Sequence, residues 1–284
     1  MSYNRFLIEK KIKEFLEEDC SYFDVSSLVI PDDSNCSAKI IAKNQGFISG
    51  IEELEIIFNF FNLSSKLYKK DGDKVGKQEI IVAINGKCRD ILFVERTALN
   101  LITHMSAITS TTRYYVDLIE KSGKNVKIAC TRKTLPGLRI FEKKAVMIGG
   151  GEPHRFSLDD LILLKDTHLK FFEGNIKKIL QKAKEKASFT KKIEIEVEKV
   201  EDVIIAAEEG ADIIMLDNMT PEEVKTSIDL LKQKKLRNKV IIEVSGGITR
   251  DNILEYILTE PDVISTSELT QFPFKKVDFS LEFD

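Results

Sequence analysis

Basic side chains recur at three points between residues 131 and 166. The first group is Arg132 and Lys133, the second is His154 and Arg155 after a run of glycines, and the third is Lys165. Each group follows a strand-like or glycine-rich segment, where side chains converge on a cleft rather than on a solvated helix face. The pattern predicts a pocket for a small substrate that carries several negative charges.

Carboxylates follow a similar pattern. Asp166, Glu196 and Asp217 end successive strand-like segments, so we expect them at one mouth of the fold. Opposite a basic cluster they suit a hydrated Mg2+ that holds a pyrophosphate, and ribose hydroxyls that need acceptors. Ordinary ion pairs with Arg and Lys are the alternative. Because side chains alternate along a strand, Glu194, Glu196 and Glu198 share one face, and at least one of them is expected to serve the structure.

A third feature is the run Ser245-Gly246-Gly247, which follows a strand-like segment and precedes a helical one. Backbone N–H groups in such a loop can cradle a phosphate beside the helix N-terminus. The late loops of α/β barrels are a recurrent phosphate site, although glycines also simply make turns. Ser245, Gly246 and Gly247 are therefore predicted to bind phosphate.

The elements that position these residues alternate in type after residue 105. Apolar strand-like segments are separated by helical ones, which predicts parallel strands in either a barrel or a doubly wound sheet. The barrel is favoured because nearly every predicted strand ends in a reactive group, and no dinucleotide or P-loop fingerprint is present. The predicted strands are 126–130, 161–164, 192–197, 212–216, 239–244 and 263–265.

The first hundred residues show a different pattern of predicted secondary structure. Strand-like pieces at 38–42 and 79–84 are separated by turn signals, which predicts a small α+β domain. A helix is predicted over 95–121, and residues 1–20 form an amphipathic helix rather than a signal peptide.

Composition excludes several classes of function. The formal net charge is only −3 over 284 residues, so no global electrostatic footprint for nucleic acid exists. No apolar run approaches the roughly 18 residues of a membrane span. The four cysteines lack metal-ligand spacing, which favours free thiols in a reducing compartment. A cytoplasmic protein without nucleic-acid or membrane partners is expected.

Taken together, these motifs resemble the quinolinate phosphoribosyltransferase family, also called carboxylating nicotinate-nucleotide pyrophosphorylases. The joint pattern is highly specific and covers nearly the whole chain. It is carried by Glu18-Asp19, Asp24, Glu95 to Asn100, Thr131 to Arg139, Gly149 to Gly151, His154-Arg155, Leu164 to Asp166, Leu216 to Asn218 and Ser245 to Gly247.

The resemblance implies an α/β fold in three parts. An N-terminal α+β sandwich domain would span residues 1–104, and an incomplete α/β barrel of about seven strands, rather than the eight of a closed one, would span 105–272. A tail at 273–284 would return to the first domain. It also implies a homodimer in which Arg96 reaches the site of the partner.

The family's reaction joins quinolinate to phosphoribosyl pyrophosphate, releases pyrophosphate and CO2, and gives nicotinate mononucleotide for NAD biosynthesis. By motif position, the acceptor pocket would be formed by Arg96, Arg132, Lys133, His154, Arg155 and Lys165. Glu196 and Asp217 would bind the ribose and metal end of phosphoribosyl pyrophosphate, with Asp166 as a further Mg2+ ligand. Ser245, Gly246, Gly247 and Ser267 would surround its phosphate. Lys133, Glu196 and Asp217 are the predicted catalytic residues, because charge develops at the anomeric carbon and on the leaving pyrophosphate.

Five positions depart from the family's usual pattern. Cys130 stands where the family has Asp, Pro153 and Thr167 where it has Asn, Ser267 where it has glycine, and Gln271 where it has His.

These departures leave two alternatives open. Pro153 and the altered tail resemble the pyrophosphorylase branch associated with molybdate transport, whose members would transfer phosphoribosyl to another anionic heterocycle. Lys165 instead belongs to the quinolinate-binding pattern. Ser267 would crowd a phosphate and Glu268 adds negative charge beside it. A non-catalytic binding relative is the second alternative, and the full set of Lys133, Glu196 and Asp217 argues against it.

Overall fold

The computed structural model describes residues 4–284 and divides them into two compact units. The first unit comprises the residues up to Arg113, Leu135–Gly150 and Phe272–Asp284, and the second comprises Tyr114–Thr134 and Gly151–Gln271. Residues 1–3, which belong to the predicted amphipathic helix and to the predicted first domain, lie outside the described part. The predicted domain limits at residues 104 and 272 stay a prediction.

The first unit is built on an antiparallel sheet with helices packed in the same unit. The strands of this unit are β1 (Asn35–Ala42), β2 (Gly46–Phe47), β3 (Ser64–Leu67), β4 (Lys74–Val75), β5 (Ile80–Lys87) and β12 (Phe279–Phe283). The sheet has the order β12-β1-β5-β3, and the short strands β2 and β4 form a separate pair. Its helices are α1 (Arg5–Asp19), α2 (Ile51–Phe60), most of α3 (Cys88–Ser122) and α4 (Arg139–Ile148), with a 3-10 turn at Ser26–Val29.

The last strand brings the chain end back to this sheet. β12 pairs antiparallel with β1 from Ala38 opposite Phe283 to Ala42 opposite Phe279. β1 is therefore a central strand, and its residues Ile40 and Ala42 are fully buried. Each of the two strands predicted in this region from apolar β-branched runs is confirmed.

The second unit holds a parallel sheet. Its strands are β6 (Lys127–Ala129), β7 (Ile162–Leu164), β8 (Ile193–Val197), β9 (Ile213–Asp217), β10 (Ile241–Ser245) and β11 (Val263–Ser265). They lie in the order β6-β11-β10-β9-β8-β7. The helices are α5 (Asp166–Phe171), α6 (Ile176–Lys186), α7 (Val200–Glu208), α8 (Pro221–Gln233) and α9 (Ile253–Leu258), with 3-10 turns at Arg237–Lys239 and Ser267–Leu269. All six predicted strands are present.

A seventh position in this sheet is held by a single residue. Glu152 bridges Ala129 in parallel, donating its N–H to Ile128 at 2.8 Å and accepting from Cys130 at 3.1 Å. The strands then follow one another around the sheet in chain order, as in an α/β barrel that lacks one strand. The expected incomplete barrel of about seven strands is confirmed, with its second strand reduced to one bridge.

Strand parity separates the apolar core from the functional face. Ile195 and Ile242 are fully buried on one face. On the other face, Glu196 lies opposite Met215, and Met215 lies opposite Glu243. The alternation of strand side chains therefore places the carboxylates on one face of the sheet, as predicted for β8.

Among residues 4–284, none of the helices combines the length and the apolar composition that crossing a membrane requires.

A buried ion pair fixes α4 within the first unit. The Nζ of Lys144 lies 2.7 Å from Oε1 of the fully buried Glu53 and 2.5 Å from Oε2 of Glu52. Burial raises the pKa of Glu53, and the charge of Lys144 opposes that shift. Two charges held out of water depend on each other, so the loss of one leaves the other uncompensated.

Replacing Glu53 by Ala is therefore expected to lower the free energy of unfolding by about 3 kcal/mol, because Lys144 would stay buried without its fully buried counter-ion. Glu185→Ala, which removes an exposed pair with Lys182, is the matched control and is expected to change stability by less than about 0.5 kcal/mol. Urea unfolding of both variants measures the difference. Equal effects would show that the buried pair does not hold α4.

Candidate active site

The predicted site residues of the second unit gather at the carboxyl ends of its strands. Asp217 is the last residue of β9 and Ser245 the last residue of β10, and the two are register partners. Lys165 follows β7 directly, and Glu196 lies within β8. Arg132 follows β6 by three residues. Parallel strands end at the same edge of the sheet, so one mouth collects these groups.

Three cations at this mouth lack a carboxylate partner. Within the described residues, the side chains of Arg132, Lys133 and Arg155 make no ion pair or hydrogen bond, and the Nε of Arg132 is fully buried. Burial lowers the pKa of Arg155, and the charge of Arg132 lowers it further, so the two guanidinium groups repel each other. A buried pair of like charges is stabilised when an anion binds between them. The predicted anion pocket therefore has a matching arrangement in the second unit.

Lys165 is committed differently. Its Nζ lies 2.5 Å from Oε1 of Glu196, which is only 8% exposed. Burial raises the pKa of Glu196, and Lys165 opposes that shift. The predicted acceptor ligand Lys165 and the predicted ribose ligand Glu196 thus bind each other in this structure, so ligand binding there would exchange one charged contact for another.

Asp217 and Asp166 are the other two predicted metal ligands. Burial and then the charge of Glu198 raise the pKa of Asp217, while Lys165 and Lys133 lower it. Asp166 starts α5, and its carboxylate lies 2.8 Å from the Nζ of Lys170. The half-exposed Asp166 therefore pairs along its own helix.

The loop after β10 has the backbone that a phosphate cradle needs. Gly246 and Gly247 have φ values of 91° and 63°, in the left-handed region that favours glycine. In the described part of the chain, no hydrogen bond uses the N–H groups of Gly246, Gly247 or Ile248. A Cβ on Gly246 would lie 2.7 Å from the backbone nitrogen of Asn218. The loop thus combines unused donors with a tight approach to the end of β9.

The turn after β11 lies against this loop. Ser267 begins a 3-10 turn, and the carboxylate of Glu268 accepts the Tyr115 hydroxyl and, at 3.1 Å, the N–H of Arg250. Thr270 donates its hydroxyl to the carbonyl of Lys133 at 2.8 Å. The charge that Glu268 adds is therefore engaged by the protein, and the turn links the β10 loop to the Arg132–Lys133 segment.

His154 lies in the interior of the barrel. Its Nε2 is 3.1 Å from Oε2 of Glu243 and 3.7 Å from Oε2 of Glu194, and its Nδ1 accepts the N–H of Arg155 at 2.7 Å. Burial lowers the pKa of the ring, but the carboxylates of Glu194 and Glu243 outweigh it and raise that pKa. Because Nδ1 accepts an N–H, the contacts are those of the neutral ring, which carries its proton on Nε2, directed at the carboxylates.

Glu243, Ser265 and Tyr115 were missed by sequence reasoning. Glu243 lies two residues before Ser245, so strand parity alone places both on one face and could have identified it. Ser265 and Tyr115 carry no such local signal, because their partners are distant in the chain.

Of the departures from the family pattern, buried Cys130 contacts the carbonyl of Pro153 through its Sγ at 3.3 Å, and Thr167 is exposed.

Arg96 belongs to the first unit. It lies on α3 with its side chain exposed, one residue before Thr97, whose hydroxyl donates to Asp19 at 3.4 Å. His104, farther along α3, bonds Glu142 of α4 through Nε2 at 2.9 Å. His104 therefore packs within the first unit against a defined partner.

The fold and this site define an α/β-barrel protein with cations gathered at the mouth of the barrel, and comparison with known proteins identifies its family. The model described as quinolinate phosphoribosyl transferase, C-terminal domain, matches residues 108–282, and the model of the N-terminal domain matches residues 22–106. The chain belongs to the quinolinate phosphoribosyltransferase family.

Three relatives illustrate the similarity. A probable carboxylating nicotinate-nucleotide pyrophosphorylase of Methanothermobacter thermautotrophicus is 41% identical over 95% of this chain and 97% of its own length. The carboxylating nicotinate-nucleotide pyrophosphorylase of Rattus norvegicus is 35% identical over 94% of this chain and 88% of its own. The solved structure of the nicotinate-nucleotide pyrophosphorylase from Francisella tularensis is 32% identical, covers 100% of this chain and 98% of its own, and superposes with a TM-score of 0.91.

The effect of alanine substitutions in the loop after β10 can be predicted and measured without substrate. Gly247→Ala is expected to lower the free energy of unfolding by about 1 kcal/mol, the cost of a left-handed alanine, because a Cβ there meets open space. Gly246→Ala adds a clash with the Asn218 backbone and is expected to cost about 3 kcal/mol. Chemical denaturation of both variants measures the two costs, and equal losses would contradict the tight approach at Gly246.

Proposed function

We propose that this protein transfers the phosphoribosyl group of phosphoribosyl pyrophosphate to quinolinate and releases pyrophosphate and CO2, giving nicotinate mononucleotide for NAD biosynthesis. One observation carries the proposal: Arg132, Lys133 and Arg155 lie at one mouth of the barrel, and none of them pairs with a carboxylate of the described residues. Three unpaired cations there suit a substrate with several negative charges. The family and its curated relatives support quinolinate as that substrate.

The acceptor is bound by its two carboxylates. Arg132 and Arg155 have planar guanidinium groups, and each such group can bind one carboxylate through two hydrogen bonds. The two arginines can therefore bind the two carboxylates of quinolinate. Lys165 moves from Glu196 to the ligand, and Arg96 of a second copy completes the pocket. His154 belongs to the same pocket through its bond to the backbone of Arg155.

Phosphoribosyl pyrophosphate binds between the acidic and glycine-rich strand ends. The unused N–H groups of Gly246 and Gly247 bind the 5-phosphate, with Ser245 and Ser267 beside them. Glu196 and Asp217 accept the ribose hydroxyls. Register pairing of Asp217 with Ser245 supports the placement of ribose and phosphate on neighbouring strands.

The same carboxylates fit Mg2+. Asp166, Glu196 and Asp217 offer oxygen ligands, which Mg2+ prefers, and it commonly keeps several waters and binds through one or two carboxylates and a substrate phosphate. When bound, Mg2+ neutralises charge on the leaving pyrophosphate. Each carboxylate also has a lysine near it, so the metal is expected to enter together with pyrophosphate rather than alone.

The reaction follows from this arrangement of charges. The ring nitrogen forms a bond to the anomeric carbon as the bond from that carbon to pyrophosphate breaks, and positive charge develops on the sugar. Glu196 and Asp217 stabilise that charge, and Lys133 stabilises the leaving group. The carboxylate beside the nitrogen then leaves as CO2, and the electron pair left on the ring carbon takes up a proton. The protein mainly holds two anions together that repel each other in water.

A homodimer is part of the proposal. Large apolar side chains between Tyr22 and Val29 are exposed in the first unit, and Tyr22 is 94% exposed. This segment lies along α3, because Arg89 binds the carbonyl of Ile30 at 2.7 Å. Arg96 is exposed two turns farther along the same helix. A second copy that covers the segment would therefore meet Arg96, and exposed apolar surface of this kind commonly marks an interface.

We also place the enzyme in the cytoplasm, since its four cysteines are free thiols, as a reducing compartment maintains them.

Product analysis tests the reaction. The protein with Mg2+ and phosphoribosyl pyrophosphate is incubated with quinolinate, with nicotinate or without acceptor, and pyrophosphate and CO2 are measured in the same tubes. We expect pyrophosphate and CO2 in equal amounts with quinolinate only. Pyrophosphate without CO2, or no turnover by folded protein with quinolinate, would contradict the proposal and direct the search to other anionic heterocycles.

Mixing inactive variants tests the shared site. Arg96→Ala and Lys133→Ala are each expected to be inactive alone. After subunit exchange, mixed dimers contain one site with both residues intact, so about a quarter of wild-type activity is expected to return. Mixing Arg132→Ala with Lys133→Ala is the control and should restore nothing, because both residues come from the same protomer. Activity of Arg96→Ala alone, or no recovery on mixing, would contradict the shared site.

A further inference from the structure

Three barrel strands each turn one buried polar side chain toward the same interior point. Glu194 of β8 is 0% exposed, Glu243 of β10 is 3% exposed and Ser265 of β11 is 1% exposed. His154 reaches this point from the glycine-rich loop. A ring nitrogen of His154 and a carboxylate oxygen of each glutamate all lie within 4.8 Å of one another.

Both nitrogens of the His154 ring are engaged by the protein. Nε2 donates to Glu243, and Nδ1 accepts the backbone N–H of Arg155 at 2.7 Å. His154 also has a φ of 51°, a left-handed conformation that is uncommon for a residue with a side chain. The hydrogen bond from the backbone N–H of Arg155 to the ring stabilises this turn. The conformation of the turn sets the direction in which the Arg155 side chain leaves the backbone.

Glu243 is held from two sides. Its Oε1 accepts the hydroxyl of Ser265 at 2.6 Å, while Oε2 faces His154 at 3.1 Å. A carboxylate bound through both oxygens has one orientation, so the ring that it binds has one orientation as well. Arg155 depends on this support because it is only 8% exposed and must be placed beside the like charge of Arg132.

Glu194 balances the charge. In the described part of the chain neither of its oxygens has a hydrogen-bond donor within reach, although both are buried. Its charge acts on His154 and on Arg155, opposing the effect of burial on the latter. Glu194 therefore offsets the cost of keeping Arg155 charged inside the barrel.

We propose that Glu243 is a positioning residue of the acceptor site: it holds the His154 ring, and the ring holds the turn that directs Arg155 toward Arg132. The inference rests on the function proposed above, because it assigns Arg155 to the acceptor. A divalent cation between His154, Glu194 and Glu243 is the competing occupant. Ser265 already occupies one oxygen of Glu243, and the charge of Arg155 lies beside Glu194, which disfavours a metal there.

Kinetics with both substrates varied separate positioning from general damage. Glu243→Ala is expected to raise KM for quinolinate about tenfold, as a charged hydrogen bond predicts, while the dissociation constant of phosphoribosyl pyrophosphate stays unchanged. Glu243→Gln keeps an acceptor for the ring and is expected to recover most of the affinity. Glu255→Ala, an exposed residue of α9, is the matched control. An unchanged KM in folded Glu243→Ala would overturn the inference.

Nuclear magnetic resonance of the ring gives a readout that needs no turnover. The chain has 3 histidines, so 15N-histidine labelling yields few ring signals. We expect a slowly exchanging Nε2–H signal for His154 in the wild type and in Glu243→Gln, and the loss of this signal in Glu243→Ala. Elemental analysis of the wild type is expected to find no bound metal. An Nε2–H signal that is unchanged in Glu243→Ala, or one bound metal ion per chain, would overturn the inference. Inactive wild type with the expected ring signals would overturn the proposed function instead.

Discussion

The like charges of Arg132 and Arg155 are the constraint around which the second unit is organised. The charge of Arg132 lowers the pKa of Arg155, and among residues 4–284 no carboxylate lies at ion-pair distance from either guanidinium group. Such a pair is unfavourable without compensation. The charges of Glu194 and Glu196 compensate in part, because they oppose the lowering of the pKa of Arg155.

The barrel makes this arrangement possible. Its parallel strands place side chains of one parity on one face, so carboxylates of β8, β9 and β10 share that face and the apolar residues share the other. Burial raises the pKa of Glu194, Glu196 and Asp217. A neighbouring cation therefore stabilises the charged form of these carboxylates. The site therefore combines desolvated carboxylates on one side with unpaired cations on the other, as transfer between two anionic substrates requires.

Much of this was predictable from the sequence. The strands of the barrel were located to within a residue or two, because each is a short apolar run rich in Ile and Val. Placement of the basic and acidic residues at strand ends followed from the same runs. The second barrel strand could not be foreseen, because Gly149 to Pro153 has no apolar pattern and pairs through Glu152 alone. Local sequence also gives no signal that Leu135–Gly150 belongs to the first unit, since that depends on the buried partner of Lys144. His154 was predicted as a substrate ligand. The sequence could not show that both nitrogens of its ring are bound within the protein, because the partner Glu243 is distant in the chain.

The affinity of the protein for a dianion against a monoanion tests the central claim most directly. Calorimetric titration of the wild type with quinolinate and with nicotinate compares ligands that differ by one carboxylate. If the two arginines await two carboxylates, quinolinate should bind at least about tenfold more tightly, since a charged hydrogen bond is worth about 1.5 to 3 kcal/mol. Equal affinity, or tighter binding of nicotinate, would contradict the account of the site.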